Sequence, residues 1–374
     1  MKNNIINKTA VVISSEFEKS GIGKYSQNLY NLIKKEFRWT IKIFLNCKKS
    51  CVEIYKGEKV EYIYLKKIPF EPAYLFQWRC RNMFNGLGDI YFITNVKNAL
   101  INVKPKIVTC HDLIIFKYPR RIWEILMRNY MYTHVKKADL ILCDSKSTSR
   151  DLEKILRVNL NKVILSYLII NKNYSQKKKK ECRFLINKYA LSNSKKILFV
   201  GSEEPRKNIP IVLKTLKGIL NETEDIELIK IGSACSSTSR KNTLDLIKSL
   251  KLKNKVRILE NIPEREMPYF YSLADVFVFP SKYEGFGYPV LEAMACGCPV
   301  VTSDNSSLPE IVGDAAFKLN CMDINGFVKK TLEILNNKKL AKRMKEKGIK
   351  QAKKFKMQKL SDDILNKINQ IRRK

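Results

Sequence analysis

The sequence predicts an α/β fold made of two doubly wound, Rossmann-like domains that face each other across a cleft. Three observations point there. The chain has 374 residues, too many for one ordinary domain and suited to two. Short β-branched or aromatic runs alternate with amphipathic stretches almost throughout, the pattern of parallel strands covered by helices on both faces. One polar, basic segment, "NKNYSQKKKKE" at 171–181, interrupts that alternation where a linker would. The expected domains are 1–175 and 176–355, followed by a basic helix over 356–374 that crosses back to the first.

In the first half the strand candidates are "AVVISS", "TIKIFL", "EYIYL", "DIYFIT", "KIVTCHD", "LILCDS" and "KVILSYLII". Helical patterns lie between several of them. In "KYSQNLYNLIKKEF", Tyr25, Leu29, Leu32, Ile33 and Phe37 fall on one face. The second half offers "KILFVG", "IELIKIG", "KVRILE", "DVFVFP" and "PVVTSD", each followed by a helical or turn segment. In sheets of this kind ligands sit at the carboxyl ends of the strands, so the loops after the strands should carry the chemistry.

The composition is 45% apolar, enough for a sizeable core, but 71 Lys and Arg stand against 36 Asp and Glu, a net +35. A field of this sign recruits polyanions such as nucleic acid, anionic lipid or phosphorylated substrates; a merely solvating, lysine-rich surface is the plainer account. The 10 cysteines contain no CxxC pair, and Cys47 and Cys51 have no second pair to complete a zinc site, which favours reduced thiols. No apolar run reaches the roughly 18 residues of a spanning helix. The N-terminus reads as a first strand rather than a signal peptide.

Four loops could carry chemistry. In "EKSGIGKYS", Gly21 and Gly23 permit tight turns before a helix expected near Lys24, although the loop matches neither a dinucleotide fingerprint nor a P-loop. In "KIVTCHDL", His111 ends a strand, where an imidazole could donate to a sugar hydroxyl; Asp112 could act or simply cap the next segment. In "FVGSEEPRKNIPIVL", Arg206 and Lys207 precede a helix start, a good cradle for a diphosphate. In "YEGFGYPVLEAMACG", Glu284 enters on a loop whose Gly285 and Gly287 let backbone amides approach a ligand. Pro289 then starts a helix, Glu292 lies in its first turn and Gly297 caps its end.

Two glutamates placed this way suit the two ends of a nucleotide-sugar, Glu292 accepting from a ribose diol and Glu284 from sugar hydroxyls. A glycosidase pair would want carboxylates about 5–9.5 Å apart. Eight residues of pure helix would separate them by ~12 Å, but Glu284 lies on a loop whose geometry the sequence does not set, so spacing alone leaves a hydrolase open.

"PSKYEGFGYPVLEAMACGCPVVTSDNSSLPEIVGDAA" resembles the signature of the retaining family 4 glycosyltransferases. "VGSEEPRKN", "SGIGKYSQNL", "TCHDL" and "ADLILCDSKSTSRDL" are similar to other landmarks of that family, in the same order. The likeness runs from the first strand to about Phe355. It implies a GT-B fold, with the donor held mainly by the second domain and the acceptor by the first. It further implies that Arg206 and Lys207 neutralise the departing nucleoside diphosphate, that Glu292 holds the ribose, and that Glu284 orients the donor sugar with Gly285, Phe286 and Gly287. Gly21, Gly23, Val290 and Leu291 belong to the donor side by the same likeness, and His111 contacts the sugar from the opposite wall. No metal or other cofactor is implied. Closure of the two domains would align the reactants and exclude water. Three departures stand out: Ser202 where many relatives have arginine, "SYLIINKNY" before the linker, and Met357 in place of a common tryptophan.

The expected reaction is therefore retaining hexosyl transfer from a nucleotide-sugar to a glycan or polyprenyl-diphosphate-linked acceptor in cell-surface polysaccharide synthesis. "GSEEPRKN" resembles versions in mannosyl- and rhamnosyl-type enzymes, which favours a GDP-mannose-like donor over a UDP-hexose. A sugar-nucleotide epimerase or glycosidase is the alternative. A nucleic-acid-binding protein is the rival from another class, but no recognised nucleic-acid motif supports it. In "KYPRRIWEILMRNYMYTHVKK", Arg120, Arg121, Arg128 and Lys136 interleave with Trp123, Leu126, Tyr130 and Tyr132. Such a helix suits the anionic inner face of a cell membrane, where a cytoplasmic protein would be peripheral; a core-facing helix with a basic outer face is the alternative.

Overall fold

The computed structural model describes residues 9–14, 21–34, 40–45, 51–55, 58–62, 78, 81–119, 122–355, 366, 367 and 370. The chain divides into two compact units, Met1–Leu168 with Met357–Lys374, and Ile169–Lys356. Phe37, Cys47, Arg120, Arg121 and Met357, singled out above, lie outside the described residues.

The first unit holds a six-stranded sheet of β1 (Thr9–Ser14), β2 (Thr40–Leu45), β5 (Ile90–Ile93), β6 (Lys106–Cys110), β7 (Leu140–Cys143) and β8 (Val163–Leu165). Its order is β2-β1-β5-β6-β7-β8, and every pair is parallel. β5, β6 and β7 are buried along their whole length, which is why they read as unbroken apolar runs rather than alternating ones. Their side chains pack with Tyr132, Val135, Leu152 and Leu156 from flanking helices into one core.

"EYIYL" departs from expectation. Its start belongs to β4 (Glu58–Tyr62), which pairs antiparallel with β3 (Cys51–Tyr55) in a separate two-stranded sheet instead of joining the parallel one. A short apolar run does not by itself reveal its pairing partner.

The second unit holds β9 (Lys195–Val200), β10 (Ile226–Ile231), β11 (Val256–Leu259), β12 (Val276–Phe279), β13 (Val300–Ser303) and β14 (Phe317–Leu319). The order β11-β10-β9-β12-β13-β14 is all parallel. Counted within the sheet this is the 3-2-1-4-5-6 arrangement of doubly wound folds, whose winding reverses between β9 and β12. The rings of Phe199, Phe277 and Phe279 stack across that junction at centroid distances of 5.8 and 5.6 Å. They give the reversal point a rigid apolar floor.

The carboxyl ends of β9 and β10 are brought together by two glycines. The amide of Gly201 donates to Ile231 O of β10 at 2.9 Å, while that of Gly232 ties the end of β10 to Leu259 O of β11 at 2.9 Å. Gly232 has φ +127°, and a Cβ there would sit 2.5 Å from Gly201 O, a backbone atom that cannot step aside. Gly232→Ala should lower the stability of this unit by about 1–3 kcal/mol, read as a fall in the urea midpoint. An unchanged midpoint would show that the backbone yields there.

Candidate functional site

Ligands of doubly wound sheets bind where the winding reverses, outside the carboxyl ends of the strands. In the second unit that point is framed by the loop after β9, which carries Arg206 and Lys207, and the loop after β12, which carries Glu284. The structure brings these three residues together. Arg206 Nη1 lies 3.0 Å from one oxygen of Glu284 and Lys207 Nζ lies 2.8 Å from the other. Ser281 Oγ donates to the Lys207-facing oxygen at 2.6 Å.

The surrounding contacts fix this cluster from every side. Arg206 Nε pairs with Glu204 at 2.7 Å, and its Nη1 also donates to Tyr283 O at 3.1 Å. The Lys207 ammonium stands 5.0 Å above the Phe279 ring. Asn208, in the left-handed region at φ 59°, turns the chain into the helix Ile209–Ile219, and its side-chain Nδ2 donates to Pro280 O and Cys321 O. The Glu284 amide donates to Ser306 Oγ at 2.8 Å, while the Ser307 hydroxyl bridges Glu284 O and Phe286 O.

Glu284 is 6% exposed. Burial pushes its carboxyl up, but the charges of Lys207 and Arg206 outweigh burial and hold it below its ordinary value of 4.5. The cradle is therefore not a pair of bare cations: Arg206 and Lys207 are matched by Glu204 and Glu284 in the resting protein.

Beyond Glu284, Gly285, Phe286 and Gly287 are all buried, and Gly287 takes φ 111° as the N-cap of the helix Tyr288–Ala295. The helix starts one residue before Pro289, so Glu292 is its fifth residue and stands in the second turn, not the first. Gly297, at φ 71°, follows the last turn. Its amide donates to Met294 O and that of Cys298 to Ala293 O, the paired bonds of a glycine-terminated helix. Tyr271 donates to Glu292 at 2.9 Å. The Tyr174 hydroxyl is held protonated by burial and by the charges of Glu292 and Glu264, donating to Glu264 at 2.5 Å. Val290 and Leu291, placed on the donor side by resemblance, have side chains that are 0% exposed, and both amides point at Gly287 O. Their side chains build the core under the loop and present no surface to a ligand.

In the first unit the helix Gly21–Leu32 begins at Gly21 rather than near Lys24, so Gly21 and Gly23 are its first and third residues. The loop before it, 15–20, lies outside the described residues. Tyr25 on this helix meets the ring of His111 edge-on at 4.9 Å and shares a hydrogen bond with Thr109 at 2.9 Å.

His111 follows β6, as expected, but both of its ring nitrogens are engaged. Nε2 faces Thr94 O at 2.9 Å and must carry a hydrogen, because a carbonyl only accepts. Nδ1 lies 2.5 Å from Asp144, whose side chain is 2% exposed. Burial works against the imidazolium, yet the Asp144 carboxylate outweighs it and raises the His111 pKa above its ordinary 6.5. An imidazole expected to donate outward thus already donates to its own unit. Asp112 caps, its carboxylate accepting from the Ile114 amide at 2.9 Å.

Several contributors are not singled out by the sequence. Asp144, which follows β7 and is 33 residues from His111, lies in "ADLILCDSKSTSRDL", Glu204 in "VGSEEPRKN" and Ser281 just before "KYEGFG", while Tyr271 and Tyr174 match no motif. The hint for Asp144 lay in "CDSKSTS", where Ser145 caps the helix Lys146–Leu156 and so fixes the residue before it. Among the described residues, no group of three or more His, Cys, Asp or Glu side chains could hold a metal ion, and no helix is long and apolar enough to cross a membrane.

Comparison with known proteins bears on this arrangement. Residues 183–351 match the family model of glycosyl transferases group 1. O-antigen chain mannosyltransferase B of Escherichia coli is 29% identical over 263 residues, covering 70% of this chain and 69% of that protein. O-antigen chain mannosyltransferase RfbU of Salmonella typhimurium is 27% identical over 246 residues, 65% of this chain and 64% of that protein. The structure of HepE from Anabaena, in complex with UDP and glucose, matches with a TM-score of 0.75 at 14% identity, covering 97% of this chain and 100% of that one. The architecture is that of the GT-B glycosyltransferases.

Removing Glu284 leaves the buried Lys207 ammonium without its counter-charge and Arg206 with Glu204, so Glu284→Ala should cost about 3–5 kcal/mol, and Lys207→Met added to it should restore part of the loss. Equal stability of the single and double variants would show that the pairs are not coupled. The two units should also respond to pH in opposite senses. The depressed Glu284 pKa contributes stability that is present above 4.5 and is lost as the pH falls through the folded-state value. The raised His111 pKa contributes stability that is present below 6.5 and is lost as the pH rises through the folded-state value. His111→Gln should flatten the alkaline arm of a thermal-denaturation profile; an unaltered arm would refute the His111 assignment.

Proposed function

We propose, from the premise that residues 183–351 form a domain of the glycosyl transferases group 1 family, that this protein moves a hexose from a nucleoside-diphosphate sugar to a glycan or lipid-linked acceptor with retention of anomeric configuration. A mannose donor of the GDP type is favoured over a UDP-hexose, supported by the two mannosyltransferase relatives. The setting is cell-surface polysaccharide synthesis. The observation that carries the reading is the Arg206–Glu284–Lys207 cluster at the winding reversal of the second sheet.

In this reading the N–H groups of Arg206 and Lys207 receive the diphosphate as it departs. Their directions are set in advance by Glu204, Glu284 and the Phe279 ring, so little reorganisation accompanies charge development in the transition state. Glu284 stays ionised. It orients the cations and accepts from donor hydroxyls, while the leaving diphosphate takes the proton of the acceptor hydroxyl on the same face. Glu292, steadied by Tyr271, accepts from the ribose. His111 acts as a fixed positive group held by Asp144 and Thr94, not as a proton shuttle.

The glycosidase alternative is disfavoured by the same cluster. A glycosidase acid needs its pKa raised so that it holds a proton at neutral pH, and Glu284 is shifted the other way. Peripheral attachment to an anionic membrane is part of the proposal. On the helix Ile122–Lys136, Ile125 and Tyr130 are each 40% exposed, and Lys136 is exposed. Tyr132 does not share that face: it is buried and donates to Asp112 O.

Incubation with GDP-mannose or UDP-hexoses and a lipid-linked acceptor should give a transfer product; an epimer, or hydrolysis alone, would sink the assignment. Glu284→Gln and Lys207→Met should each lower kcat/KM for transfer by about 10²–10³ while nucleotide binding stays measurable. Full turnover in either variant would remove that residue from the site. Flotation should carry the protein with phosphatidylglycerol vesicles at low salt, and failure to float would count against the membrane setting.

A further inference from the structure

The first unit holds a second concentration of positive charge, remote from His111. A cavity of about 570 Å³ is lined by Arg81, Asn102, Lys104, Lys106, His134 and Lys137 together with backbone and apolar neighbours, and no carboxylate lines it. Lys106 opens β6 and His111 follows its last residue, so the cavity lies at the opposite end of the sheet, about 16 Å away along the strand.

Four features make this more than another patch of a basic protein. Lys106 is 5% exposed, and its Nζ donates to Ala99 O at 3.0 Å and Ile101 O at 3.2 Å. An ammonium has three donors, so one hydrogen remains for a ligand. The nearby carboxylate of Asp139 is turned to the Lys106 backbone amide at 2.7 Å instead of its side chain. The Arg81 guanidinium lies 4.4 Å from the Trp78 ring centroid, a cation–π contact that anchors it. Among the described residues, none of Arg81, Lys104, Lys106 and Lys137 forms an ion pair.

A buried ammonium without a carboxylate is costly. Burial lowers the Lys106 pKa; Asp139 resists this, and Lys137 and Lys104 reinforce it. His134, whose Nδ1 faces Tyr130 O at 3.0 Å, is shifted down by burial and, beyond the opposing Tyr130 carbonyl, by Lys137 and Lys106. An anion in the cavity would relieve all of these at once.

We propose that this cavity binds a phosphate-type anion, a phosphomonoester or diphosphate, on the face of the first unit away from His111. Lys106 forms its floor, Lys104 and Lys137 its exposed walls, and Arg81 supplies a planar fork suited to two phosphate oxygens. The volume exceeds inorganic phosphate and leaves room for the group it esterifies. The source of the phosphate is either a lipid headgroup or a soluble phosphate ester.

The test uses the full chain and amine acylation read by peptide mass spectrometry. At low ionic strength, pyrophosphate should slow labelling of Lys104 and Lys137 by about fivefold, the protection of a site about four-fifths occupied. Exposed lysines of the second unit, Lys241 and Lys253, should keep their rates. Protection of the same two lysines by phosphatidylglycerol vesicles, and not by phosphatidylcholine vesicles, identifies a lipid headgroup; protection by pyrophosphate without any by vesicles identifies a soluble ester. Unchanged labelling with pyrophosphate, or uniform slowing of every exposed lysine, overturns the proposal. Lys104→Ala with Lys137→Ala, both at exposed positions, should also remove one pyrophosphate-binding event in calorimetry, and an unaltered isotherm would overturn it equally.

Discussion

The carboxylate of Glu284 sits between a guanidinium and an ammonium in a place with little water, and the second unit is organised around that contact. Neither loop at the winding reversal holds its shape alone. The β9 loop contributes two cations, of which the buried Lys207 would be costly without the counter-charge of Glu284. The β12 loop contributes an acid whose burial would otherwise neutralise it. Each justifies the other, and the serines of 303–307, the Phe279 ring and the αL turn at Asn208 close the remaining directions. The result is a rigid polar cluster on an apolar floor, oriented before any substrate arrives.

The first unit solves a related problem with a different pair. His111 and Asp144 end adjacent parallel strands, and a single hydrogen bond joins two loops that the sheet only brings near each other. Charge in the second unit is balanced by one acid of the same loop, Glu204, and one from another, Glu284. In the first, the positive member is fixed by one acid and one carbonyl. Both arrangements fix polar groups at the carboxyl ends of strands, where doubly wound sheets expose their loops.

Much of this was legible in the sequence because the relevant physics is local. Fully buried strands such as "LILC" and "VFVF" read as uninterrupted apolar runs, and Pro289 and Gly297 mark a helix from both ends. What escaped is long-range. Nothing near Arg206 announces that Glu284, 78 residues on, will neutralise it. Nothing near His111 announces that its Nδ1 will face Asp144, 33 residues on. Val290 and Leu291, placed on the donor side by likeness, are fully buried, as their apolar character alone suggests. The pairing of "EYIYL" was missed for the same reason: a strand's composition states that it is buried, not which neighbour it joins.

The arrangement of the second sheet has a consequence for biosynthesis. β9 pairs with β10 soon after both leave the ribosome, but its other edge waits for β12, whose Val276 aligns with Ile197 some eighty residues later. Until then β9 presents an unsatisfied apolar edge, and the loop bearing Arg206 and Lys207 lacks the acid that holds it. The most exacting part of the molecule is therefore among the last to assemble, so a nascent chain that stalls before β12 carries its greatest hazard of misassociation there.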